Sequence, residues 1–171
     1  RSRASLLWQF CARARKKKHN QPSLFAGQQH CGSAPDLPED DMLTRLRREF
    51  AVLGFLCDRH PMALFAAQRQ KYKTVPASDI GFFVGCRVRF AGWLITGKTV
   101  LSKKGAPMEF VTFEDETGLV EAAFFPEPFK SFGHLLCAGR PFLVSGVVEN
   151  DMGAVTLRAD GLKVLARLQS R

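Results

Sequence analysis

The sequence predicts a mainly-β domain, five short strands closed into a small barrel, preceded by a region of helix and linker. Three observations lead there. From Phe82 onward the apolar residues recur with period two, and glycines at 85, 92 and 97 punctuate the first run. Turn-forming clusters then divide the remainder into strand-length pieces. Before Phe82 the apolar period is three to four, broken by Pro22, Pro35 and Pro38.

Taken in order, residues 3–18 read as a short amphipathic helix with Leu6, Leu7 and Phe10 apolar and a basic tail. Residues 19–40 are a flexible linker rich in Gln, Gly, Pro and Ser. Residues 41–80 form a helical connector. In it Leu43, Leu46, Phe50 and Leu53 make one stripe, with Arg45, Arg47 and Arg48 opposite. Asp40 or Asp41 is the expected N-cap, and Pro61 is placed to open a second helical turn through Met62, Leu64 and Phe65. The barrel is expected over 82–168. Its strands fall at 84–101, 108–113, 119–125, 140–148 and 154–159, and a helix at 127–136 separates the third from the fourth. The first strand is expected to be broken or bulged at its glycines, and the segment 162–168 to form an edge strand or a helix.

Five strands, a long bent first strand and a helix between the third and fourth match the five-stranded oligonucleotide-binding (OB) barrel. An SH3-like barrel or a sandwich does not call for that helix.

The chain of 171 residues is long enough for one well-buried domain with an appendage, and its start at Arg1 is expected of a piece of a longer polypeptide. A net charge of +9 points to a polyanionic partner. That charge is uneven: residues 1–30 hold seven basic side chains and no acid, whereas 85–171 set eleven against nine. A barrel so mildly cationic must hold a ligand by local placement and stacking. The five cysteines form no CxxC pair and the four histidines have no ligand spacing, so no metal, cofactor or zinc knuckle is expected. Scattered thiols suit a reducing, cytoplasmic setting. No apolar run reaches the roughly 20 residues of a membrane span, and no membrane partner is expected.

In the second strand Val111 and Phe113 are assigned to the core, which turns Phe110 and Thr112 toward a ligand. Lys98, Lys103 and Lys104 lie at the end of the first strand and in its loop, and Arg87 and Arg89 alternate outward along it. These seven residues are the candidate nucleic-acid-binding set. No paired carboxylates stand at metal-binding spacing on adjacent strands, and Asp115 and Glu116 read as turn residues, so no catalytic residue is expected. In the linker, Gln21-Pro22-Ser23-Leu24-Phe25 offers two apolar anchors and one amide to a partner's pocket.

With these pieces in place, the chain resembles the part that follows the catalytic domain in the bacterial DNA polymerase III alpha subunits, the C-family replicative polymerases. RASLLWQF at 3–10 is similar to the segment leaving their helix-hairpin-helix domain. QPSLF at 21–25 is similar to their sliding-clamp-binding peptide. EFAVLGFLCDRHPMAL at 49–64 is similar to their helix pair, although Asp58 and Arg59 replace the usual Ser-Gly, and KGAPMEFVTFEDETGLVEAAFFP at 104–126 is the most specific match, to their OB barrel. The resemblance implies a parent DNA-directed DNA polymerase acting in DNA replication. In it this segment holds single-stranded template DNA, and Gln21, Leu24 and Phe25 fill the clamp pocket. The other partners implied are the rest of the polymerase chain and its holoenzyme. Two other readings compete: an RNA-binding OB appendage of a tRNA-synthetase-like protein, and a protein–protein adaptor barrel.

Overall fold

The computed structural model describes residues 3–16 and 40–165. The chain divides into two compact units, Arg1–Arg45 and Leu46–Arg171. The first holds helix α1 (Arg3–Lys16), whose Leu6, Leu7 and Phe10 are exposed. Apart from Asp40, the linker expected over 19–40, with its Gln21, Leu24 and Phe25, lies outside the described residues.

Helix α2 (Met42–Leu53) begins where the sequence puts it: the Asp41 carboxylate accepts the Thr44 N–H at 3.3 Å, so Asp41 is the N-cap. The helix ends at Gly54, whose φ of 79° a side chain would resist. Pro61 then opens a 3-10 turn (Pro61–Phe65) in which the His60 ring nitrogen Nδ1 accepts the Met62 N–H at 3.1 Å. Met62, Leu64 and Phe65 are buried there. Helix α3 (Ala66–Tyr72) follows directly and stops at Lys73, which adopts the left-handed conformation at φ 50°. A further 3-10 segment, Ala77–Phe83, leads into the barrel.

The barrel is closed, with strand order β1-β2-β3-β5-β4. Its strands are β1 (Arg87–Leu101), β2 (Pro107–Asp115), β3 (Gly118–Phe124), β4 (Pro141–Asp151) and β5 (Ala154–Val164). Neighbours are antiparallel except β3 and β5, which run parallel. Helix α4 (Pro126–Phe132) sits between β3 and β4, as the OB order requires, with a 3-10 turn at Gly133–Leu135. Its Phe129 and Phe132, with Leu135 and Leu136, pack against the core. Alternate residues of every strand turn inward, so Phe90, Val111, Phe113, Phe124, Phe142 and Leu157 are almost wholly buried. Phe113 and Phe142 meet edge to face at 6.1 Å, joining β2 and β4 across the interior.

Two expectations need correction. The chain does break at Gly85, which takes φ 80° between the bridge at Val84 and the start of β1. The irregularity within β1, however, falls between Leu94 and Thr96 rather than at Gly92 or Gly97. Gly92 serves close packing instead, because a side chain there would strike the Phe90 ring, and Gly97 leaves room for the Glu109 carboxylate. Near these glycines β1 changes partners, from β4 through residue 93 to β2 from residue 93 onward. The expected break before residue 162 is also absent, since β5 runs unbroken through Val164. The pairing absorbs it as a bulge: Ser145 opposes Gly161 and Gly146 opposes Ala159, leaving Asp160 as the extra residue. Gly161 clears the Ser145 hydroxyl, while Gly146 clears the Arg158 carbonyl.

Candidate nucleic-acid interface

A two-strand face becomes a binding surface only if register brings the right side chains side by side. The hairpin between β1 and β2 sets that register. Its loop spans residues 102–106. There the Ser102 N–H donates to the Ala106 carbonyl at 2.8 Å, the Ser102 hydroxyl accepts the Ala106 N–H at 3.2 Å, and Gly105 takes φ 76°. The loop fixes Leu101 opposite Pro107, and hence Lys98 opposite Phe110 and Thr96 opposite Thr112. Directly opposed side chains share a face at about 5 Å between Cβ atoms. On the far side of β2, Phe110 faces Ala123 and Thr112 faces Glu121 of β3.

The inward and outward assignment of β2 is correct: Val111 and Phe113 are in the core, and Phe110 is 41% exposed. Helix α4 does not seal it. Lys103 and Lys104 are exposed in the loop at one flank of this surface. The other hairpin, between β4 and β5, turns at Met152 and Gly153, where the Asn150 side chain accepts the Gly153 N–H at 2.9 Å. Met152 takes φ 51° and is fully exposed. The structure thus brings Lys98, Phe110 and Thr112 together, with Lys103 and Lys104 beyond the end of the same hairpin.

Arg87 and Arg89 are not part of that group. They lie on the stretch of β1 that pairs with β4, opposite Val147 and Ser145. Both Arg87 terminal nitrogens donate to the Asp160 carboxylate, at 2.5 and 2.7 Å, and Arg89 Nη1 donates to the Tyr72 carbonyl at 3.4 Å. The sequence showed correctly that they point outward. It could not show that β1 changes sheets between them and Lys98.

The electrostatics of the saddle are mixed. Glu121 and Glu114 share the outward side of β2 and β3 with Thr112, so the face is not a basic groove. At the Glu114 end the connector forms a wall: His60 Nε2 stands 3.6 Å from Glu114, and Phe50 packs edge-on against Trp93 at 5.7 Å. Burial raises the pKa of the Glu109 carboxyl, which lies across Gly97. Sequence reasoning missed Thr96, Glu121 and Met152. Thr96 becomes readable once the β1–β2 loop is taken as five residues, and Glu121 once Asp115 is paired with Gly118 across the next turn, because register then follows by counting.

The turn between β2 and β3 works as a brace. Asp115, 3% exposed, accepts the Thr117 N–H and hydroxyl at 2.7 and 2.6 Å, the Gly118 N–H at 3.2 Å and the Ala77 N–H at 3.1 Å. Arg69 stands 3.6 Å from Asp115 and 3.0 Å from Glu116. These acids tie the connector to the barrel. Among the described residues no three His, Cys, Asp or Glu side chains converge to hold a metal ion.

The closed barrel and its flanking hairpins define an OB-fold domain, and the family model of the OB-fold nucleic acid binding domain matches residues 88–165. The wider chain is homologous to the bacterial error-prone DNA polymerases and DNA polymerase III alpha subunits. It is 30% identical over 165 residues to an error-prone DNA polymerase of Corynebacterium efficiens, a match covering 95% of this chain and 15% of that protein. The error-prone DNA polymerase of Alkalilimnicola ehrlichii is 34% identical over 109 residues, covering 63% of this chain and 10% of its own. The DNA polymerase III alpha subunit of Bacillus subtilis is 31% identical over 114 residues, covering 67% and 10%. The chain therefore spans between a tenth and a sixth of the length of these relatives. Among its described residues no helix is long and apolar enough to cross a membrane.

Proposed function

We propose that this chain is the non-catalytic part of a replicative or error-prone DNA polymerase that holds single-stranded template DNA on the β1–β2–β3 saddle. The observation that carries the reading is Phe110, an exposed aromatic ring beside a lysine on the central strand. A base stacked on such a ring gains about 1–3 kcal/mol whatever its identity, which suits a template-holding surface that must accept every sequence. Lys98, Lys103 and Lys104 neutralise phosphates along the hairpin, and Thr112 offers a hydroxyl to a base edge or sugar. Arg87 and Arg89 stand on the other sheet, so they meet only nucleic acid that extends past the saddle. The relatives support DNA over other polyanions, because they are DNA polymerases.

The pentapeptide at 21–25 tethers the parent polymerase to its sliding clamp through Gln21, Leu24 and Phe25, and the remaining polymerase chain and holoenzyme are the other partners. The parent supplies the DNA-directed polymerase activity and acts in the cytoplasm.

The test is a titration of short oligothymidylates on the full chain. Phe110→Ala is expected to weaken binding roughly 5- to 150-fold, the range the stacking energy implies. Binding that is absent at low salt in the wild type, or unmoved by Phe110→Ala, rejects the saddle. The same titration with RNA of equal length decides between template DNA and the tRNA-synthetase-like reading.

A further inference from the structure

The outer face of the β1–β4–β5 sheet carries a second group of cations, organised around Tyr72 at the end of α3. Lys163 on β5 donates to the Tyr72 hydroxyl at 3.0 Å and sits 5.3 Å from the centre of its ring, and Lys71 stands 5.8 Å from the same centre. Arg89 reaches the Tyr72 carbonyl. Beside them a cleft of about 270 Å³ is lined by Lys73, Arg87, Arg89, Ser145 and Phe83. Five cations thus gather here, and the ion pairs and hydrogen bonds of the described residues set one carboxylate among them, Asp160, which binds Arg87 and accepts the Ser145 hydroxyl.

Like charges held this close repel, and an anionic ligand relieves the repulsion. The barrel as a whole is nearly balanced in charge, so this concentration is local. We propose that the cleft is a second nucleic-acid contact, a track for the sugar–phosphate backbone of a single strand longer than the saddle can hold. It rests on the saddle reading only for the choice of ligand.

The arrangement fits a chain of phosphates better than one free phosphate. Arg87 and Arg89 are two residues apart on one strand, hence about 6.6 Å apart along it. Lys73 and Lys163 approach from other elements, so the cations are spread out rather than converged on one point. The aromatic surface fits as well: Phe83 lines the cleft, and Phe82 next to it is 86% exposed, leaving a ring on which a base can rest. Lys73 takes the left-handed cap of α3, and it lines the cleft.

The experiment uses the full chain and two oligothymidylates, of about 8 and about 24 nucleotides, lengths that respectively fit and exceed one OB site. The double variant Lys73→Gln with Arg89→Gln is expected to lose several-fold in affinity for the long strand. The slope of log affinity against log salt should flatten by about 1.4, two contacts at about 0.7 each for single strands. The short strand should bind this variant within about two-fold of the wild type. Long-strand binding and slope that are unchanged in the double variant, or long-strand binding that is absent in the wild type at low salt, overturn the proposal. An unchanged thermal melt of the variant shows that folding is not the cause, and Arg89→Lys, which keeps the charge, should restore the slope if the double variant melts early. Loss of affinity with Phe110→Ala alone keeps the saddle and rejects the cleft, whereas loss with the double variant alone does the reverse.

Discussion

Glu109 occupies the inward row of β2 with Val111 and Phe113, near the end of the hairpin, where its carboxylate lies over Gly97. Burial there disfavours its ionised form, so its pKa is raised above the usual carboxylate value in the folded state. A raised folded pKa means that the group's stabilising contribution is complete below its unfolded pKa and is lost as pH rises through the folded one. Glu109→Gln is therefore expected to melt above the wild type at pH 7 and together with it below the carboxylate range; equal melts at both pH values would refute this. The group is only partly buried, so solvent screening keeps the effect small. At the same scale, the parity that placed Val111 and Phe113 inside and Phe110 and Thr112 outside was legible from the sequence. Successive strand residues alternate sides regardless of the rest of the fold. That Phe110 and Lys98 adjoin was not, because adjacency depends on register.

Among the elements, the β4–β5 pair departs most from the sequence reading. Strand β5 continues past Asp160 because Gly146 and Gly161 let two backbones approach at the bulge. A methyl group at residue 146 would collide with the Arg158 carbonyl, a backbone atom that cannot rotate aside. Gly146→Ala is expected to lower stability by about 1–3 kcal/mol, the usual cost of overpacking a filled site, as read from chemical unfolding. A variant as stable as the wild type would mean that the bulge tolerates a side chain and that the glycine serves another purpose. The sequence assigned Gly146 and Gly161 no part in the fold. Their actual role is steric, and it is invisible until the partner strand is known. The helical elements were easier to read, since Asp41, Gly54 and Pro61 act on the chain within a few residues of themselves.

For the whole molecule, the seven basic and no acidic residues at 1–30 are a long-range attraction that the barrel itself lacks. A clamp-binding peptide beside that charge would gain from effective concentration once polymerase and clamp share one DNA. Capture of the full chain by immobilised sliding clamp is expected to fall at least ten-fold in Leu24→Ala and Phe25→Ala; retention equal to the wild type would remove the tether. The sequence by itself determined the fold class, because strand period, turn chemistry and the helix between the third and fourth strands are local properties that combine in one order. It also determined which residues of β2 face solvent, because alternation along a strand is local too. Only the tertiary structure decided which exposed residues stand together. Strand β1 bends from one sheet to the other, so Lys98 joins Phe110 on the saddle while Arg87 and Arg89 join Tyr72 and Lys163 on the opposite sheet. That division is set by cross-strand register and barrel closure, contacts between residues far apart in the chain, which no local pattern encodes.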